Sequence, residues 1–104
     1  MSTVRTLRHP ARKDINLPGV LYALSDPIRL DIVKSLSANG AQACGTLNLP
    51  VSKSTATHHF RVLREAGVIY MEPAGARYLN SLRKSDLDAR FPGLLDAILA
   101  AQKK

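Results

Sequence analysis

The feature that most constrains this chain is one amphipathic segment, VSKSTATHHFRVLREAGVI. Ser52 is a residue type that caps the beginnings of helices, and Gly67 is one that ends them. Between them Ala56, Phe60 and Leu63 recur at intervals of four and three residues, which places them on one face of a helix. The segment therefore predicts a helix that packs into a core by this face and leaves a polar face opposite.

Two helices are predicted upstream of this segment. Apolar residues at helical spacing favour a short helix between residues 15 and 24. The next helix begins at Pro27, where a missing backbone N–H costs nothing, with Ser25 or Asp26 as its cap and Gly40 as its end. The stretch ACGTLNLP that follows is long enough for only one or two turns of helix.

A hairpin and a last helical segment are predicted downstream. The runs VIYME and ARYLNSL are rich in β-branched and aromatic residues, and the PAG between them, with Gly75, predicts a β-turn. The last segment begins near Ser85, a candidate cap, and is broken at Pro92 and Gly93 into a short helix and a more apolar one. This order of elements is that of a mainly α-helical winged helix-turn-helix with a β-hairpin wing.

Charge and cysteine content limit the partners and the compartment. Fifteen Lys and Arg residues against eight Asp and Glu give a net charge of +7, which favours an anionic polymer as the partner. Cys44 is the single cysteine, and no N-terminal apolar run resembles a signal peptide or a membrane span. We therefore expect a cytoplasmic protein with no membrane partner.

The first fourteen residues, MSTVRTLRHPARKD, are rich in cations and show little apolar periodicity. They predict a basic, flexible arm at residues 1 to 14, followed by a winged helix-turn-helix domain for DNA binding and dimerisation at residues 15 to 104. The arm is either a solvated tail or a DNA contact, and the sequence leaves both open.

The polar face of the long amphipathic helix carries the candidate DNA contacts. In a helix-turn-helix the second helix enters the major groove, where its first residues meet the base edges. Its cations can pair with phosphates or guanine, and its hydroxyl and imidazole groups can hydrogen-bond bases or phosphates. The candidates on this helix are Lys53, Ser54, Thr55, Thr57, His58 and Arg61. Arg77, beside the Gly75 turn, is a further candidate that can reach the adjacent minor groove.

His58 and His59 raise the question of a metal or catalytic site. Adjacent helical positions point about a hundred degrees apart, so the two rings cannot converge on one ion or one proton. The chain also lacks an H-E-x-x-H spacing, a Gly-rich phosphate loop and a Ser-His-Asp set, so we expect no enzyme. His58 falls on the DNA face, whereas His59 lies nearer the core, where we expect it to fix the helix by a hydrogen bond.

Two runs of this sequence resemble the arsenic-repressor (ArsR) family of small dimeric bacterial transcription regulators. The more specific pattern is S-x-x-T-x-[ST]-H-H-[LF]-x-V-L-R-E-A-G-[LIV]. It is matched by Ser52, Thr55, Thr57, His58, His59, Phe60, Val62, Leu63, Arg64, Glu65, Ala66, Gly67 and Val68. The second pattern, D-P-x-R-L-x-I, is matched by Asp26, Pro27, Arg29, Leu30 and Ile32. The resemblance covers roughly residues 15 to 100.

The resemblance implies a homodimer that binds a pseudo-palindromic operator in double-stranded DNA and represses transcription until an inducer weakens the complex. We expect the first and last helices to pack across the dimer, because the last helix is too apolar to stay uncovered. The expected interface residues are Leu17, Val20, Leu21, Leu94, Leu95 and Ile98.

Metal sites known in the family are only partly matched here. The C-x-C thiol pair is reduced to Cys44, and the last segment carries Asp86, Asp88 and Asp96 without a histidine. One thiolate is a poor soft-metal site, so we expect no metal and no cofactor, and the inducer is unknown. Two alternatives stay open: a redox-responsive repressor that uses Cys44, and a winged-helix protein-interaction module that does not bind DNA.

Overall fold

The computed structural model describes residues 4 to 102, and its elements follow the predicted order. The α-helices are α1 (Leu17–Ala23), α2 (Pro27–Asn39), α3 (Lys53–Glu65), α4 (Lys84–Arg90) and α5 (Leu94–Gln102). The strands are β1 (Gln42–Ala43), β2 (Ile69–Ala74) and β3 (Arg77–Leu82), and short 3-10 helices cover Arg12–Asp14 and Cys44–Thr46. The chain is therefore mainly α-helical, and the hairpin of β2 and β3 forms the predicted wing.

Side-chain caps fix where three of the helices begin. Asn16 accepts from the Gly19 N–H at the start of α1, and Ser52 accepts from the Thr55 N–H at the start of α3, as predicted for Ser52. Of the two candidates for α2, the cap is Asp26, whose carboxylate accepts from the N–H groups of Ile28 and Arg29. Burial alone would raise the pKa of Asp26, but the Arg29 N–H, the nearby His59 and Arg29 side chains and the Ile28 N–H outweigh it and lower that pKa.

The prediction of Ser85 as a helix cap is wrong. Helix α4 begins one residue earlier, at Lys84, and its N-cap position is Arg83, whose side chain makes no capping bond. The Arg83 backbone N–H donates instead to the carbonyl of Val68. This hydrogen bond extends the pairing of β2 and β3 up to the first residue before the helix. The helix start is therefore set by the end of β3 rather than by a capping side chain.

The wing belongs to a three-stranded antiparallel sheet with the order β1-β3-β2. The turn between β2 and β3 contains Gly75 at φ +69°, a left-handed conformation that favours glycine. Strand β1 was not predicted, because two residues are too few to show an alternating pattern. Its Gln42 pairs with the fully buried Asn80 of β3, whose side-chain amide also donates to the Gln42 carbonyl at 3.1 Å.

The core lies between α2, α3 and the sheet, and aliphatic side chains dominate it. Helix α2 contributes Ile32, Val33 and Leu36, and α3 contributes Phe60 and Leu63, all of them buried. These are residues that the 3.6-residue periodicity placed inward. The face of α3 that packs against α2 is thereby determined, and so is the face that remains outside.

Gly67 joins α3 to β2 at a point where no other residue fits. Its φ is +85°, and a Cβ at this position would lie 2.5 Å from Cγ1 of Ile15. Ile15 is itself in the core. Both the backbone conformation and the close approach therefore require glycine, beyond the predicted role of ending the helix.

A buried arginine in α2 connects three helices. The guanidinium of Arg29 donates to the carbonyls of Ala23 at 2.7 Å and Tyr22 at 3.2 Å, which are the last carbonyls of α1. It also lies 3.1 Å from Nδ1 of His59 in α3. These contacts provide the Ala23 carbonyl at the end of α1 with a donor and hold α3 against α2, which explains a buried cation in this place.

The N-terminal segment, predicted as a basic, flexible arm, makes hydrogen bonds with the rest of the domain from residue 4 onward. The carbonyls of Arg5, Arg8 and Pro10 accept from the side chains of Tyr78, Arg64 and Arg83, respectively. Nε2 of His9 accepts from the Met71 N–H at 2.9 Å, so the segment covers the free edge of β2. Residues 1 to 3 lie outside the described part.

Asp86 in α4 holds this segment by a second contact. Its carboxylate accepts from Arg12 at 2.7 Å, from Arg83 at 2.9 Å and from the Tyr70 hydroxyl at 3.0 Å. The Arg12 guanidinium lowers the pKa of Asp86, against the opposing effect of partial burial, and Arg83 and Tyr70 lower it further. Asp86 is therefore engaged within the protomer.

Two residues predicted for the dimer interface lie in the core instead. Val20 is 1% exposed and Leu95 is 2% exposed, because α1 and α5 each turn one side inward onto the domain. On α1, Leu17 and Leu21 point outward and are 41% and 47% exposed. Helix periodicity finds an apolar face but does not tell whether the same chain or a second copy covers it.

Candidate nucleic-acid interface

Helix α3 presents its predicted DNA face to solvent. Lys53, Ser54, Thr55, Thr57, His58 and Arg61 are all exposed, and so is Arg77 in the wing. On the opposite side His59, Phe60 and Leu63 are buried. The helix therefore has the two faces that its sequence predicted.

Some of the polar groups on this face are engaged within α3. The Thr57 hydroxyl donates to the Lys53 carbonyl at 2.9 Å, and Thr55 Oγ1 accepts from the Ser52 hydroxyl at 2.9 Å. The Thr57 oxygen keeps its accepting capacity, and Thr55 keeps its hydroxyl proton to donate. Both side chains are thus oriented on the helix surface before any partner arrives.

The cations on the same face are unengaged within the part of the chain that the structure describes. Lys53, Arg61 and Arg77 make no side-chain hydrogen bond or ion pair between residues 4 and 102, and neither does the His58 imidazole. Exposed arginines carry donors suited to phosphate and to guanine, so these side chains are available to an anionic partner.

The two adjacent histidines have different surroundings. His58 is exposed, whereas His59 is 8% exposed and lies against Arg29. Arginine has only donors, so Nδ1 of His59 is the acceptor in this contact. Asp26 lies 3.8 Å from the same Nδ1, too far for a hydrogen bond. The expected hydrogen bond of His59 is confirmed, and its partner is Arg29.

The N-terminal segment adds cations near the wing that the sequence analysis did not assign to the site. The Val4 N–H donates to the Gly75 carbonyl at 3.2 Å, and the Tyr78 hydroxyl donates to the Arg5 carbonyl at 2.7 Å. The exposed side chains of Arg5 and Arg8 are thereby held beside the hairpin. The sequence showed these two cations, but it did not show that they lie beside the hairpin, because that depends on contacts between distant segments.

A groove of about 760 Å³ runs between α3 and the wing. Lys53, Thr57 and Arg61 line it from the helix, and Arg77 lines it from the hairpin. The structure thus brings the helix and wing candidates to one cleft. Ser54, Thr55 and His58 are not part of its lining and lie on the outer side of the helix.

Comparisons with known proteins agree with this geometry. A family model described as "Helix-turn-helix domain" matches residues 24 to 72. The uncharacterized HTH-type transcriptional regulator YceK of Bacillus subtilis (strain 168) is 33% identical over 82 residues, which cover 76% of this chain and 82% of that protein. The chain belongs to the HTH-type transcriptional regulators. As such it is a DNA-binding regulator of transcription.

A crystal structure of an ArsR family transcriptional regulator shows the same fold as this regulator. The TM-score is 0.64 at 24% sequence identity, and the match covers 83% of this chain and 90% of the other. The winged helix-turn-helix that the ArsR resemblance implied is therefore confirmed. Among the helices between residues 4 and 102, none has the length and apolar content that a membrane crossing requires.

The regulator's remaining candidate metal ligands are engaged with other groups of the protein. Within the described residues no group of three or more His, Cys, Asp or Glu side chains is arranged to hold a metal ion. Cys44 is half-buried at the edge of the groove, where its Sγ accepts from the Asn80 amide at 3.1 Å. Asp88 pairs with Lys84 at 2.8 Å, and Asp96 lies 3.4 Å from the same ammonium, which raises the Lys84 pKa chiefly through Asp88.

Proposed function

We propose that this regulator is a homodimeric repressor that binds a pseudo-palindromic operator and is released by an inducing signal. Helix α3 enters the major groove, and the wing lies over the adjacent minor groove. The observation that carries the proposal is the exposed face of α3, where unengaged cations and oriented hydroxyls adjoin Arg77 in one cleft. A regulator that acts on the chromosome of a bacterial cell works in its cytoplasm.

Each side chain has a separate task in this complex. Lys53, Arg61 and Arg77 pair with phosphates or guanine, and Arg77 reaches the minor groove from the hairpin. Ser54, Thr55, Thr57 and His58 meet base edges or phosphate oxygens from the first turns of α3. His59 does not touch DNA, because it faces Arg29.

An exposed apolar surface on α1 supports the dimer. Leu17, Leu21 and Tyr22 are 41%, 47% and 62% exposed, and the first two are one helical turn apart. Leu94 and Ile98 of α5 are half-buried and retain some apolar surface. A second copy that covers this surface would place two α3 helices in successive major grooves about 34 Å apart.

Operator binding is tested with the DNA upstream of the protein's own gene. Fluorescence anisotropy at low salt should show binding, and the logarithm of the association constant should fall linearly with the logarithm of salt concentration. An absence of binding at low salt would refute the proposal and favour a protein-interaction module. Light scattering of the wild type and of Leu21→Asp tests the dimer, since the variant should be monomeric.

A further inference from the structure

The groove between α3 and the wing has the size and lining of a small-molecule site. Its volume of about 760 Å³ lies within the range of about 300 to 1,000 Å³ typical of ligand pockets. Leu7, Leu49 and Val51 contribute half-buried apolar side chains to its walls, and Cys44 lies at the same surface. An organic molecule with an apolar body could therefore bury much of its surface here.

The charge on the groove has one sign. Lys53, Arg61, Arg64 and Arg77 line it, and no Asp or Glu from residues 4 to 102 does so. Arg64 is committed to the N-terminal segment through the Arg8 carbonyl at 2.6 Å. The other three cations have no partner in the described part of the protein. The groove therefore attracts anions, and each of these cations can donate hydrogen bonds to a bound anion.

We propose that this groove binds a small organic anion, with an apolar body and a carboxylate, sulfonate or similar head group, and that binding excludes DNA. The apolar body lies against Leu49 and Val51, and the head group pairs with Arg61 or Arg77. The exclusion of DNA rests on the proposed function above, because Lys53, Arg61 and Arg77 are the cations assigned there to DNA. The groove itself does not depend on that assignment.

Competition follows from shared cations. A bound anion neutralises the charges of Lys53, Arg61 or Arg77 that would otherwise pair with phosphates and release counterions from DNA. An inducer of this chemistry needs no metal ligand and no second thiol. It would act directly at the DNA-binding surface, without a change transmitted from the dimer interface.

The groove is tested first without DNA, using anilinonaphthalene sulfonate as the probe. We expect a saturable rise in its fluorescence with the wild type. Gly45→Leu should weaken it, because Gly45 lines the groove and an added side chain, whose Cβ would meet no atom within 4 Å, has room to obstruct the probe. Arg61→Met should weaken probe binding by about fivefold, the effect of one partly solvated charge pair. Lys34→Met, an exposed cation outside the groove, should leave it unchanged.

Cys44 reports where the probe binds. As the single cysteine at the groove edge, it should react more slowly with iodoacetamide when the probe is bound. Fluorescence that is equal in the wild type, Gly45→Leu and Arg61→Met, with no protection of Cys44, would overturn the proposed site. Circular dichroism of each variant establishes that the fold is retained.

A second experiment tests exclusion of DNA. The probe should release operator DNA from the wild type, whereas Gly45→Leu should bind DNA normally and resist release. Probe binding in the groove with the DNA complex intact would overturn the exclusion. If the wild type binds no DNA at all, the proposed repressor function fails, while the fluorescence and alkylation results still decide whether the groove binds an organic anion.

Discussion

Arg29 and Arg83 are buried and each makes several hydrogen bonds, whereas Arg61 and Arg77 are exposed and make no side-chain hydrogen bond in the described structure. Arg29 holds the end of α1 and His59, and Arg83 holds Asp86 and the Pro10 carbonyl. Arg83 also stacks on the Tyr70 ring at 4.3 Å. The same side chain thus serves two opposite purposes in one small domain.

The difference between these pairs teaches where arginine contributes stability and where it contributes affinity. A buried guanidinium is tolerated only if its donors are used, and its removal leaves its acceptors unpaired. An exposed guanidinium adds little to folding, but it is free to pair with a phosphate. Substitutions in the two groups should therefore affect different measurements.

The largest effect is expected for Arg29→Met. The substitution leaves the Ala23 carbonyl and the His59 ring without the donor that Arg29 supplies and removes one of several donors to the Tyr22 carbonyl, which should cost about 3 kcal/mol of unfolding free energy. Urea denaturation at fixed protein concentration measures it. A loss of unfolding free energy below about 0.5 kcal/mol, the usual range for exposed sites, would show that the hydrogen bonds of the buried arginine do not stabilise the fold.

The histidine pair sharpens the same comparison at adjacent positions. His59→Ala removes the acceptor of Arg29 and should lower the unfolding free energy by about 2 kcal/mol. His58→Ala should leave stability nearly unchanged and weaken operator binding by about fivefold, or about 1 kcal/mol. Denaturation and anisotropy on both variants check this. The reverse pattern would mean that the faces of α3 are exchanged.

Arg61→Met should affect binding alone. The loss of one phosphate contact should weaken operator binding by roughly tenfold and reduce the salt dependence of binding by about one counterion. Its unfolding free energy should stay within about 0.5 kcal/mol of the wild type. Lys34→Met makes the same change in net charge on the exposed side of α2 and is the matched control.

The smallest effect concerns pH and the docked N-terminal segment. Burial, aided by the charges of Arg64 and Arg83, lowers the pKa of His9 below its ordinary 6.5. Near this pKa the unfolded chain binds more protons than the folded one. The contribution of neutral His9 to the unfolding free energy is therefore complete above pH 6.5 and is lost as the pH falls through the lowered folded-state pKa. The difference in melting temperature between the wild type and His9→Gln should therefore become smaller as the pH is lowered below 6.5. A difference that does not vary with pH would contradict this.

Much of the candidate site was accessible from the sequence. The six predicted DNA contacts on α3 are exposed, because the positions of Phe60 and Leu63 determine which side of this helix faces the core, and Arg77 in the wing is exposed as well. The inward hydrogen bond of His59 followed from the same periodicity. Its partner Arg29 did not, since nothing in a local pattern indicates which residue thirty positions away will meet the ring.

The sequence by itself determined the helices, the hairpin and the two faces of α3, because caps, glycines and periodicity act between residues a few positions apart. Only the tertiary structure decided that Val20 and Leu95 face inward, that β1 adds to the wing and that residues 4 to 14 cover its edge. It also decided that a cationic groove forms beside α3. These features depend on contacts between distant segments, such as Arg83 with Pro10, and the path of the whole chain sets them.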